Sequence, residues 1–460
     1  MKKLEAVFTM AAIVVSSGEI AWARTWHVKL DGSGDAPTIQ AAIDLARAGD
    51  DVLVSAGTYT WTTEGASGES MLRLKAGLWL HSEAGASATF LDAETRGRVI
   101  IGQDVGEVRI EGFTIQNGLL MRFAAPHGAG IYILGNSTPR IADCVIRDNV
   151  LSFDNVSASG GGVFCGAASF NNCVFSGNSA HCAGTARGAA LRSESASLSR
   201  CVFEFNSAGG ASGIVKAHGG AVAEDGVASI SECTFRNNRA TADGGLGSFG
   251  GALSLAAGGG TVADCLFQGE LAIATSGGAR GGAIFASGSV TIRRCIFVGN
   301  RAVFSIPAAG PAHGGAIYCD AGGSIENCTL VGNSATSSEF SSGTGAIHTG
   351  GTVQSTIVTE TTGGSTCSGA GTWICCDLYG NTGGDQICGT DGGGNFSADP
   401  RFCSSNPATS LNFSLRRDSP CAPADDPPAP GTCGLIGAVP VGCETALTSE
   451  TWTSVRRRYR

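Results

Sequence analysis

Residues 281–300 read GGAIFASGSVTIRRCIFVGN. Cys295 and Phe297 are two positions apart, so on a short strand their side chains leave by the same face. Asn300 follows where that strand must turn, and its amide can bond backbone groups there. The stretch opens with Gly281-Gly282-Ala283 and then Ile284. Three small residues before a second apolar strand suit a tight turn, or a backbone that another backbone approaches closely.

The unit recurs along the chain. Cys144, Cys173, Cys201, Cys233, Cys265, Cys295 and Cys328 are separated by 29, 28, 32, 32, 30 and 33 residues. Three residues before each stands Ile141, Phe170, Leu198, Ile230, Val262, Ile292 or Ile325. Two residues after each stands Ile146, Phe175, Phe203, Phe235, Phe267, Phe297 or Leu330. Five residues after each is Asn149, Asn178, Asn206, Asn238, Glu270, Asn300 or Asn333, with Glu270 the one departure. The small-residue turns repeat in step, from Gly128-Ala129-Gly130-Ile131 to Gly314-Gly315-Ala316-Ile317, and a degenerate unit follows at Gly345-Ala346-Ile347.

A period near 30 with short, Gly-bounded, β-rich segments and no helical spacing predicts an all-β solenoid of two or three strands per turn. Stacked strands rise about 4.8 Å per turn, so roughly ten turns make a rod about 50 Å long. The chain holds 70 glycines in 460 residues without a Gly-X-Y period, which excludes collagen, and its 43% hydrophobic content argues against disorder. The stacked asparagines would form an internal amide ladder. The seven cysteines read best as buried free thiols acting as small hydrophobes, although Cys165–Cys173 or Cys319–Cys328 could bridge the core.

The paired motifs Gly281 to Ile284 with Phe297 to Asn300, and Gly314 to Ile317 with Leu330 to Asn333, resemble the polymorphic outer membrane protein repeat over about residues 128–350. The resemblance implies a right-handed parallel β-helix of the pectin lyase-like fold on a surface protein, often an adhesin. The translocator barrel of that family is missing from this sequence.

At the N-terminus, Lys2 and Lys3, an apolar run from Ala6 to Val15 and the small-x-small site Ala21-Trp22-Ala23 read as a signal peptide over residues 1–23. Residues 24–60 are expected to hold a cap and the first turn, 61–360 the repeats, 361–444 Cys-rich closing turns and 445–460 a basic tail. A helix is predicted over Thr38–Arg47, with Ile39, Ala42, Ile43 and Ala46 on one face. The stretch from Asp31 to Tyr59 resembles the start of pectin-modifying β-helices, which implies that this helix plugs the open end. Cys367, Cys375, Cys376, Cys388, Cys403, Cys421, Cys433 and Cys443 form an even set of disulfide candidates, and the absence of a Cys-x-x-Cys pair among them disfavours zinc.

The formal net charge of −9 disfavours nucleic acid as a partner. No run outside the N-terminus is long enough to span a bilayer as a helix. No cofactor is implied, save that Asp31-Gly-Ser-Gly-Asp35 could take Ca²⁺. Gln103-Asp104 is similar to the Gln-Asp pair of pectin methylesterases, but that family's other motifs, and those of polygalacturonases and pectate lyases, are absent. Two columns carry chemistry instead. The residues just before the small turns include His127, Arg187, His218, Arg280 and His313. Those five positions further on include Tyr132, Phe285 and Tyr318. If Ile131 and its equivalents face inward, the second column faces outward by alternation, and stacking gives a cationic row beside a partly aromatic one, suited to an acidic polysaccharide or another cell-surface ligand. The expected function is therefore a secreted or surface, non-catalytic, glycan-binding protein, with a polysaccharide lyase or hydrolase and a structural envelope component as alternatives.

Overall fold

The computed structural model describes residues 23–121, 125–154, 156–210, 216–256, 258–305, 312–319, 322–337, 343–404, 406–423 and 433–443. The proposed signal peptide, up to residue 22, and the basic tail lie outside them.

Each recurrence of the Cys-x-Phe motif adds one parallel strand to a twelve-stranded sheet running from Gly57–Thr60 to Asp377–Tyr379. The strands after each Asn form an eight-stranded sheet, Leu119–Leu120 to Ser334–Ser337. A 29-stranded sheet covers the remaining sides. The ladders pair in parallel throughout, so the chain is a parallel β-solenoid. Among the described residues no helix is long and apolar enough to cross a membrane.

Like stacks on like. Ile146 stands opposite Phe175, then Phe203, Phe235, Phe267, Phe297 and Leu330 follow in register. The five phenyl rings lie face to face with centroids 4.6 to 4.8 Å apart, which is the strand spacing itself. Behind them the cysteine column is buried and unbonded. Burial pushes the Cys144 thiol up to about 12 and Cys265 well above its ordinary value, so these two thiols stay neutral. Cys165 and Cys319 are also outside any disulfide, so neither cross-core bridge forms.

The asparagines do form a buried ladder. Asn206 accepts at Oδ1 from the backbone N–H and the side-chain amide of Asn178, both at 3.0 Å. Its own amide donates to the Phe175 carbonyl (3.0 Å) and to Asn238 Oδ1 (2.9 Å). Glu270 takes an asparagine's place, accepting from Asn238 N–H at 2.9 Å, and complete burial raises its carboxyl well above the usual range.

The first strand, Thr25–Val28, already pairs with Asp51–Val54, so the stack begins within the segment read as cap. The predicted helix, α1, spans Ile39–Leu45, shorter than expected because Ala46 leaves helical geometry. Thr38 Oγ1 caps it by accepting from Ala41 N–H at 3.1 Å. Ile39, Ala42 and Ile43 are buried in the main core.

The C-terminal region corrects part of the sequence reading. Three disulfides form, Cys367–Cys388, Cys375–Cys433 and Cys403–Cys443. Cys376 and Cys421 remain free and buried. Cys376 sits within a turn of the stack, its thiol donating to the Val353 carbonyl at 3.4 Å. The Cys421 thiol donates to Asp377 Oδ2 at 3.1 Å, a carboxyl that burial raises to about 6.

Only the first part of this region continues the coil, through Ser365–Ser368, Thr372–Ile374, Asp377–Tyr379 and Thr390–Asp391. From Asp399 the chain folds back over the outside of the twelve-stranded sheet. Phe413, Ala438 and Val439 pack on Ile296, Val298 and Val331, while Leu415 and Ile436 pack on Ile357. Asn327 Nδ2 donates to Leu435 O at 2.8 Å, and Ala438 N–H to Thr329 Oγ1 at 2.9 Å.

Candidate functional site: a ring and guanidinium groove

The small-residue turns create a corner. Gly281 has φ +67°, and a Cβ there would collide with the Ile284 carbonyl. At Gly282 a Cβ would collide with the Gly315 carbonyl of the next turn, so bare backbone is required as well. The strand before each turn and the strand after it therefore meet at an angle. Outward side chains on the two strands touch: His127 lies 6.3 Å from Tyr132, and His313 6.3 Å from Tyr318, centroid to centroid. Outward groups can meet like this only across a concave surface.

Both sequence columns are ladders in register. His127, Ser159, Arg187, His218, Phe249, Arg280 and His313 are successive partners along one wall. Tyr132, Phe164, Arg192, Ala223, Ser254, Phe285, Tyr318 and His348 are successive partners along the other. Rings stack both across the groove and along its walls. His127 stacks on Phe164 across it at 4.4 Å, while His218 stacks on Phe249 along one wall at 4.7 Å and Tyr318 on His348 along the other at 4.4 Å.

The expectation of a cationic row of histidines needs correction. Phe164, Phe249 and Tyr318 are only 7%, 9% and 6% exposed, and the histidines between such rings are largely desolvated. Burial, reinforced by Arg192 and Arg98, lowers His127 to about 4. Burial, with Arg187 and Lys216, lowers His218 to about 4. His313 is lowered by burial and then by His348 and Arg280. These imidazoles are neutral at pH 7 and act as ring faces and hydrogen-bonding groups: His218 Nδ1 lies 3.2 Å from Ser254 Oγ, and His313 Nδ1 3.1 Å from Thr344 Oγ1.

The positive charge belongs to arginines, and they differ. Arg98, fully buried, lies over Tyr132 at 4.7 Å and donates from Nε to the Gly128 carbonyl at 2.7 Å. Arg187 and Arg192 share Asp225. Arg280 sits 5.8 Å from the Phe249 centroid and 5.3 Å from that of Tyr318, and no carboxylate among the described residues pairs with it. Alternation could have found His348, which follows Ile347 as Tyr132 follows Ile131. Nothing in the sequence marks Arg98, because it precedes the first Gly-Ala-Gly turn.

Residues 184–362, the heart of this groove, match a family model for a right-handed β-helix region. The coil is a right-handed parallel β-helix. No curated protein and no solved structure matches the chain, so the chemistry of the β-helix is read from its own residues.

The other candidates are committed elsewhere. Gln103 Nε2 donates to Asp104 Oδ2 at 3.1 Å and Asp104 Oδ1 accepts from Asn136 N–H at 2.8 Å, in an exposed turn. Asp31 Oδ1 accepts from Ser33 N–H at 2.9 Å, and Asp35 Oδ2 from His27 N–H at 2.9 Å. Among the described residues no group of three or more His, Cys, Asp or Glu is gathered for a metal.

Proposed function

We propose that this β-helix is a secreted or cell-surface, adhesin-like protein that binds an acidic polysaccharide along the ring and guanidinium groove without cleaving it. The observation that carries the reading is Arg280, a half-buried guanidinium held between two rings with no carboxylate partner among the described residues. Such a cation is preorganised for a carboxylate or sulfate, and the flanking rings offer apolar faces to sugar. The likeness of the repeat motifs to the polymorphic outer membrane protein repeat supports a place at a cell surface. Disulfides support passage through an oxidising compartment. In the same reading α1 closes the N-terminal end of the core, since its buried face would otherwise leave that end open to water.

The test is retention of residues 24–460 on immobilised polyuronate, sulfated and neutral polysaccharides, with the bound polymer sized afterwards. Acidic polymers should retain the protein in a salt-sensitive way, Arg280→Ala should weaken retention about tenfold, and polymer length should stay unchanged. Retention that ignores Arg280→Ala sinks the groove as the site, and shortened polymer sinks the non-catalytic reading.

A further inference from the structure

Where the back-folded segment crosses the last turns it leaves a crevice of about 340 Å³, within the ~300–1,000 Å³ typical of small-ligand sites. Thr359, Pro400 and Pro407 make a buried floor, and Glu360, Tyr379, Asp399 and Arg416 stand exposed at the rim. The crevice lies on the corner between the twelve- and eight-stranded sheets, away from the groove.

Three of its polar side chains are uncommitted. Among the described residues the side chains of Glu360, Tyr379 and Arg416 make no hydrogen bond or ion pair. Asp399 has one oxygen engaged, by Arg401 N–H at 2.8 Å, and the Arg401 side chain is held by Asp418 at 2.9 Å.

The backbone at Glu360 is a second observation. Its row on this corner runs Asn117, Asp148, Gly177, Phe205, Asn237, Gly269, Gly299, Gly332, Glu360 and Gly380, all with positive φ. Gly, Asn and Asp adopt that conformation most readily, and only Phe205 and Glu360 depart from them. Glu360, at φ 56°, holds a costly conformation at the lip of the part of this corner that the back-folded segment turns into a crevice.

We propose that the crevice is a second saccharide site, which takes a neutral pyranose unit. Tyr379, 39% exposed, supplies a ring face. The planar carboxylates of Glu360 and Asp399 accept from neighbouring sugar hydroxyls, and Arg416 donates to hydroxyl or ring oxygens. Two carboxylates against one uncommitted guanidinium leave the crevice net negative, so a uronate or sulfated sugar is repelled here, the reverse of the groove.

The test is ligand-observed NMR on residues 24–460 with methyl glycosides of neutral and N-acetylated hexoses and with methyl galacturonoside. At least one neutral glycoside should bind. Tyr379→Ala and Arg416→Ala should each weaken it about tenfold or more, Glu360→Gln should weaken it less, and Arg280→Ala should leave it unchanged. All four sites are at least partly exposed, so unchanged thermal unfolding separates loss of binding from loss of fold. No binding by any neutral glycoside, binding that survives both Tyr379→Ala and Arg416→Ala, or preference for the uronoside each overturns the proposal. Failure here leaves the groove untouched, because Arg280→Ala reports on that site alone.

Discussion

The Asn ladder and the ring groove are both stacks with one residue per turn, yet they are built on opposite rules. Inside, nearly the same residue recurs, and each amide bonds its neighbours and the backbone of the turn below. At the concave corner the residues vary from turn to turn: imidazole, phenyl, phenol, guanidinium and hydroxyl succeed one another. A uniform stack satisfies itself and holds the fold together. A mixed stack leaves some groups, such as Arg280, without an internal partner, and those are the ones available to a ligand.

That contrast can be broken at the ladder first. Asn206→Ala removes four hydrogen bonds at a fully buried site and strands the groups on both neighbours. It should cost about 3–5 kcal/mol in urea unfolding, since each unsatisfied buried polar group costs ~1–3 kcal/mol. A cost under about 1 kcal/mol would mean that water replaces the amide and that the ladder is not what fixes the stack.

A smaller effect comes from Glu224, buried in the core with Ser193 Oγ donating to it at 2.6 Å and its carboxyl raised to about 7 by burial. Its proton is held in the folded state and lost earlier in the unfolded one. The stabilisation is therefore complete below about pH 4.5 and disappears as pH rises through 7, roughly 3 kcal/mol in all. Glu224→Gln should unfold with little of that dependence, so the variant gains on the parent from pH 4.5 to 8. A constant difference across that range would rule the assignment out.

His127 and His218 act with the opposite sign. Each is lowered to about 4, so their contribution is present above pH 6.5 and lost as pH falls toward 4. The double replacement His127→Gln with His218→Gln should soften the acid limb of the stability curve. An unaltered acid limb would show that these imidazoles are solvated and charged.

The smallest stability effect belongs to the groove cation. Arg280→Ala should change unfolding by less than about 1 kcal/mol while weakening polysaccharide retention. A large loss of stability would make Arg280 part of the scaffold, and the contrast between the two stacks would collapse.

The repeated turns were legible because their signal is periodic. Spacings of 28 to 33 residues aligned the cysteine, phenylalanine and asparagine rows in the same register that the strands adopt. The groove columns were legible too, but their charge was not. Alternation says only that a side chain points away from the core, and outward means water on a convex surface and neighbouring rings at a concave corner. The back-folded segment left no periodic trace: Asn327 meets Leu435 and Thr329 meets Ala438 across more than a hundred residues. The crevice depends on that segment and was invisible for the same reason. Cys421 counted as a disulfide candidate by parity, whereas the structure gives its thiol to Asp377.

A stack in which each turn touches only its neighbours unfolds as a chain of weakly linked units, each able to fray on its own. The segment from Asp399 to Cys443 changes that for one end. Its described residues lie across the strands Leu266–Gln268, Ile296–Val298, Thr329–Val331, Ile357–Thr359 and Asp377–Tyr379; Cys375–Cys433 fastens it to the coil, and Cys403–Cys443 closes it on itself. Like a splint along several vertebrae, it ties five turns to one another, so they should melt more cooperatively than an unsupported stack. The N-terminal turns, which lack it, are where the molecule should begin to open.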